Sequence, residues 1–301
     1  MTPANVPPAP PHAPPEDPPG FIVATEAQKA AFARGFRLER GVDGPWLRYA
    51  STTVPGEVWL AGRPPTGPWW LAVSHSGVAA ELGPTAATPG PGAARFTYVA
   101  LPALYAALDR AYRLARSLPT LPLAAFQQQA AGLPRTTEAE RLTVQRIGQG
   151  VFRQALLDYW GGRCPLTGIT DPALLRASHI VPWAACRDDA QRLDVHNGLL
   201  LSALWDAAFD AGLASFADDG TALLVQGLSA AAAAALTQGA PAGAPAGWPV
   251  LAGLLPAHLM NLQDHRARHG FSDEVGAKLL LERTHGPFND TARNTTGADA
   301  E

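Results

Sequence analysis

His179 stands in the stretch Ala177-Ser178-His179-Ile180-Val181-Pro182-Trp183. With an unperturbed pKa of about 6.5, a histidine can take a proton from water close to neutral pH. Beside Ile180 and Val181 the same ring also suits a structural role, so His179 alone decides nothing. Asp206 and Asp210 are four residues apart, a spacing that places both carboxylates on one face of a helix, where they can share a cation. Exposed acids at a helix start are the plain alternative. Between these groups, Asn197-Gly198 precedes the apolar run Leu199-Leu200-Leu201 and favours a turn. The asparagine side chain can close that loop and hold the His179 strand against the Asp206 helix, or serve only the turn. Together these residues supply an activated water beside a cation, which is what hydrolysis of a phosphodiester requires.

The elements that must position them can be read from periodicity and punctuation. Residues 1–20 carry proline at nearly every second position and are expected as a disordered tail. Residues 21–118 read as a small α+β domain. Its elements are a helix near Thr25–Phe36, strands around Trp46–Tyr49, Glu57–Leu60 and Trp69–Val73, and a helix over Leu101–Ser117. A linker is expected at 119–136, punctuated by Pro119, Pro122 and Pro134. Thr137 and Glu140 have capping-box spacing and open a helix to about Trp160, with an apolar stripe through Val144, Ile147, Val151, Ala155, Leu156 and Tyr159. That helix starts the segment 137–217, which holds the candidate site. Residues 218–287 form a C-terminal extension with a strand at Leu223–Gln226, an alanine-rich helix at Ser229–Thr237, a flexible insert at 239–247 and a last helix at His258–Gly270. Residues 288–301 are expected as a second disordered tail.

Composition narrows the class. The chain has 301 residues, 47% of them hydrophobic, without an apolar run of the length that spans a bilayer. The proline-rich start has no basic stretch leading into an apolar core, so a secretory signal is not expected and the cytoplasm is the default compartment. The net charge of −3 argues against indiscriminate nucleic-acid binding, but the charge is uneven. Residues 21–118 hold ten Lys/Arg against six Asp/Glu, whereas 161–220 hold four Arg against eight Asp, an acidity that suits a site holding a divalent ion. Cys164 and Cys186 have no histidine at close spacing, so structural zinc is not expected and packed or capping thiols are. Arg146, Arg153, Arg176, Arg187, Arg266 and Arg268 are candidates for phosphate contact, each with an ordinary structural alternative. Trp46, Trp59, Trp69 and Trp70 suit either base stacking or a core.

Four blocks in order are similar to the HNH endonuclease family, in a restriction-like subgroup. They are Cys164-Pro165-Leu166-Thr167-Gly168, Ala177 to Trp183, Asn197 to Leu201, and Asp206-Ala207-Ala208-Phe209-Asp210-Ala211-Gly212. The resemblance covers about residues 137–217. It implies an α+β chain whose nuclease module is a ββα-metal fold with flanking helices, preceded by the small α+β domain, which would help choose the target. By the same pattern His179 matches the general base and Asn197 the asparagine that orients it. Asp206 and Asp210 match the metal ligands, DNA is the substrate, and the products carry 5′-phosphate and 3′-hydroxyl ends. Two positions depart from the pattern: Ser178 stands where a metal ligand often precedes the base, and Asp206 replaces the terminal histidine. Such hard oxygen donors favour Mg²⁺ or Mn²⁺. The competing expectation is a DNA-binding protein on the same scaffold without turnover. No membrane partner is expected; oligomeric state is left open, and a homodimer is allowed.

Overall fold

The computed structural model describes residues 14–65, 67–86, 88–134, 136–238 and 248–271. Most of the first proline-rich tail, the insert at 239–247 and the tail at 288–301 lie outside the described residues.

Five short antiparallel strands follow one another in sequence order to form a meander: β1 (Leu38–Asp43), β2 (Trp46–Ala50), β3 (Glu57–Gly62), β4 (Trp69–Val73) and β5 (Ala94–Tyr98). Period-2 alternation divides the side chains between its faces. Val58, Leu60, Trp69, Leu71 and Val73 point into the main core, while Trp46, Trp59, Ala61, Trp70 and Ala72 form a second cluster behind the sheet. The segment through Gly90 lies so close to that second cluster that a Cβ there would sit 2.5 Å from the Trp46 indole. All four tryptophans weighed for base stacking are thus buried, which removes them as a stacking platform.

The main core is filled from the helical side. α1 (Phe21–Ala33) ends before Gly35, which adopts a left-handed φ of 89°, so the helix starts and stops earlier than periodicity suggested. α2 (Ser76–Leu82) and α3 (Leu101–Ser117) follow. The stretch expected as a linker contains α4 (Thr120–Ala130), with Pro122 in its first turn, where the missing N–H costs nothing. α4 buries Phe126 against its neighbours. α5 (Glu138–Tyr159) starts with the expected capping box, Thr137 with Glu140. One apolar cluster runs from Val23 through Leu108 and Phe126 to Leu156 and Leu199, so packing is continuous across 119–136 rather than interrupted there.

Beyond α5 lie β6 (Leu175–His179), the short α6 (Asp189–Leu193), β7 (Gly198–Ser202) and α7 (Ala203–Asp210). A small hairpin, β8 (Ala214–Phe216) and β9 (Ala222–Leu224), leads to α8 (Ala230–Thr237) and α9 (Pro256–His269). α9 starts at Pro256, ahead of the expected His258, because proline is pre-shaped for the first helical position, and it ends at Gly270 with φ 72°. No helix among the described residues is long and apolar enough to cross a membrane.

Candidate active site

β6 and β7 pair antiparallel, with Leu175 opposite Ser202 and His179 opposite Gly198, and α7 follows β7 directly. Every residue of β7 is buried, and Trp205, Ala208 and Phe209 sink the inner face of α7 into the same core. The two strands and the helix therefore form a ββα unit, with α5 as its floor. A Cβ at position 198 would sit 2.4 Å from Phe152, so the glycine lets β7 approach that helix closely.

The buried face of α5 runs through Val144, Gly148, Phe152, Ala155 and Leu156. Ile147 and Val151 of the expected stripe pack against the same core but are only partly buried, since they also line a cleft between α3, α4 and α5. Phe152 stacks on the His179 ring, centroids 3.8 Å apart at 17°, and Trp183 meets the same ring edge-on. His179 Nε2 lies 2.9 Å from the carbonyl oxygen of Arg192. A carbonyl only accepts, so Nε2 carries the proton and Nδ1 keeps its lone pair. Burial drives the pKa below 6.5, and the Arg192 carbonyl opposes this only in part. The ring is neutral at neutral pH, with one nitrogen ready to take a proton.

That carbonyl is itself fixed. Arg192 donates to the carbonyls of Trp183 and Cys186, pairs with Asp189 at 2.8 Å, and lays its guanidinium 5.5 Å from the centre of the Trp183 ring. Asn197, fully buried, ties down the same loop. Its Oδ1 accepts from the Val181 N–H at 2.8 Å, and its Nδ2 donates to the Val181 and Gln191 carbonyls and to the Cys186 sulfur. These bonds hold the 181–191 loop beside β7; none goes to α7, which was the expected anchoring.

Asp206 lies in the first turn of α7 and Asp210 one turn on. The buried Ser178 hydroxyl donates a short hydrogen bond to the Asp206 carboxylate. Burial, then the neighbouring Asp206 charge, raises the Asp210 pKa. Neither carboxylate has an ion-pair partner among the described residues. Two adjacent uncompensated carboxylates suit a hard divalent ion, with Ser178 orienting one of them rather than binding as a ligand. No group of three or more His, Cys, Asp or Glu that could hold a metal occurs among the described residues.

The candidate arginines separate by contact. Arg153 clamps the carbonyls of Leu175 and Pro172 at the start of β6. Arg266 is buried, bonded to the Phe216 carbonyl and paired with Asp218; the basic end of α9 had suggested phosphate contact here, but its guanidinium is already committed to the β8–β9 hairpin. Arg146 is exposed beside the α3–α4–α5 cleft. Arg176 is exposed, with its guanidinium on the carbonyls of Ala173 and Leu175, and Arg187 is exposed beside Asp188. Arg268 is exposed and reaches the Ile180 carbonyl, one residue beyond His179. Cys164 and Cys186 are free and buried, and the first closes a tight turn through hydrogen bonds with Gly168 and Ile169.

Sequence reasoning passed over Phe152 and Arg192. The helical period of α5 could have exposed the first. Nothing local marks the second, whose part is played by a backbone carbonyl.

Residues 164–217 match the family model HNH_2, described as HNH endonuclease. The matched segment spans the Cys164 turn, β6, the loop, β7, α7 and β8, so this stretch is similar to an HNH endonuclease module. No curated protein matches the chain.

Proposed function

We propose that the chain is a divalent-ion-dependent DNA endonuclease of a restriction or defence type, with His179 as general base and Asp206 and Asp210 holding Mg²⁺ or Mn²⁺. The observation that carries this reading is the 2.9 Å contact from His179 Nε2 to the Arg192 carbonyl, because it leaves Nδ1 as the acceptor. Nδ1 takes the proton of the attacking water. Phe152 and Trp183 hold the ring in one plane, and burial keeps it unprotonated before the reaction. Asn197 bonds the Gln191 carbonyl, next to Arg192, and so helps to place the Arg192 carbonyl that sets the tautomer. Ser178 points the Asp206 carboxylate. When bound, the ion would offset charge that builds up on the scissile phosphate and the leaving oxygen. Arg268 and Arg176, exposed at the two ends of the His179 strand, are assigned to backbone phosphates, and residues 21–118 to target choice.

The test is plasmid cleavage with Mg²⁺ or Mn²⁺, on modified and unmodified DNA, by wild type and His179→Ala. Wild type is expected to cut, and removal of the base to lower the rate by roughly 10²–10⁴-fold. Cleavage that survives the substitution overturns the assignment. The second reading, a binding protein without turnover, is favoured by Ser178 standing at a ligand position; it predicts DNA binding with no cutting by wild type under any divalent ion.

A further inference from the structure

The loop that ends at Asn197 is gripped by a residue far away in sequence. Glu81 lies on α2, in the N-terminal region, and is buried at 6% exposure. One of its carboxylate oxygens is 2.7 Å from His196 Nε2, and the other accepts from the Tyr159 hydroxyl at 2.9 Å. His196 Nδ1 in turn meets Asp194 at 2.9 Å. With a carboxylate on each nitrogen, both nitrogens donate and the ring is an imidazolium. Burial alone would lower its pKa, but the bonds to Asp194 and Glu81 outweigh this and push it up to about 9.

The other groups facing this ring agree with its charge. His258 of α9, its ring 5.0 Å away, is held neutral, down to about 3, by burial and then by the His196 charge. Arg110 of α3 donates to the Glu81 carbonyl, and Asn261 of α9 donates to the His196 carbonyl at 2.9 Å. Three segments that are distant in sequence, α2, α5 and α9, therefore converge on the residue that immediately precedes Asn197, and α3 holds the backbone of Glu81. A buried charge pair of this kind adds little net stability against an apolar replacement, but it imposes one geometry.

We propose that Glu81 is a positioning residue for the nuclease site: with Asp194 it orients His196 and thereby fixes the backbone that presents Asn197 to the 181–191 loop. The N-terminal region is then part of the working site and not only a target reader. The activity arm of the test rests on the nuclease reading above; the spectroscopic arm does not.

The experiment compares wild type, Glu81→Gln, Tyr159→Phe and Leu104→Ala in the full chain. Leu104, fully buried in α3 away from the loop, is the control for lost stability. In wild type, nitrogen NMR of the His196 ring should show both nitrogens protonated at neutral pH. Glu81→Gln should lower the His196 pKa by at least about one unit, speed exchange of the Asn197 side-chain amide, and reduce kcat about tenfold with KM for DNA unchanged. Tyr159→Phe, which removes one bond to Glu81 and keeps the charge, should give a smaller change in the same direction, and it decides the matter if Glu81→Gln does not fold. Leu104→Ala should leave the His196 and Asn197 signals in place. The proposal is overturned if the Glu81 variant keeps the wild-type signals, if Leu104→Ala reproduces its changes, or if kcat holds while the signals move. Should wild type cut no DNA, the nuclease reading fails, and the His196 and Asn197 signals still decide whether Glu81 sets the loop.

Discussion

The meander and the loop of the ββα unit are held by different forces. In the five-stranded sheet, each central strand has two partners and the tryptophans fill both faces, so order comes from the area of apolar surface removed from water. The ββα unit has two strands of five residues each, too few to stand alone. Its loop is fixed by single polar side chains: Asn197 makes four hydrogen bonds, Arg192 grips two carbonyls and Asp189, and Arg153 grips two more carbonyls. Apolar packing tolerates small shifts because it is non-directional. Hydrogen bonds fix direction, which is what a base and a carboxylate pair require.

The largest test of this contrast sets Asn197→Ala against Trp69→Ala. Trp69→Ala should lower stability by about 3–5 kcal/mol in chemical denaturation, and the fraction that remains folded should cut DNA at the wild-type rate. Asn197→Ala leaves buried backbone groups unpaired and should cost about 1–3 kcal/mol, yet lower the rate per folded molecule about 100-fold as the Arg192 carbonyl drifts from His179. Equal rate losses in the two variants would erase the distinction.

A smaller effect sharpens it. The His179 pKa is depressed by burial, so the neutral base persists below the ordinary histidine range. The acid limb of kcat/KM should therefore have its midpoint below about pH 6.5, with the rate falling about tenfold per pH unit beneath that midpoint. A midpoint above the ordinary value would mean that the ring is not held as described.

The smallest effects belong to the rim. Arg268→Ala should weaken DNA binding several-fold and reduce the salt slope by about one, with unchanged preference between sequences. Arg187→Ala, at a side chain 80% exposed beside Asp188, should shift stability by less than about 0.5 kcal/mol. A salt slope unaltered by Arg268→Ala would remove that residue from the phosphate path.

The N-terminal region was legible where short apolar runs stand between Gly/Pro turns, as in Trp46–Tyr49, Glu57–Leu60 and Trp69–Val73, and illegible at its edge. β1, Leu38–Asp43, is largely exposed and polar, so no period marks it. α4 was obscured by its prolines, which sit where a helix tolerates them.

By itself, the sequence determined the chemical inventory and its order: His179, the Asn197-Gly198 turn, and Asp206 with Asp210 one helical turn apart, because these are local spacings set by strand, turn and helix geometry. It also marked the capping box that starts α5. Only the tertiary structure decided which histidine nitrogen is free, since that depends on a carbonyl 13 residues away. It alone turned Ser178 from a missing ligand into a partner of Asp206, committed Arg153 and Arg266 to backbone carbonyls, and brought Glu81 to His196 across 115 residues. Backbone acceptors and long-range ion pairs have no signature in residue type or period, because what selects them is the packing that brings distant segments together.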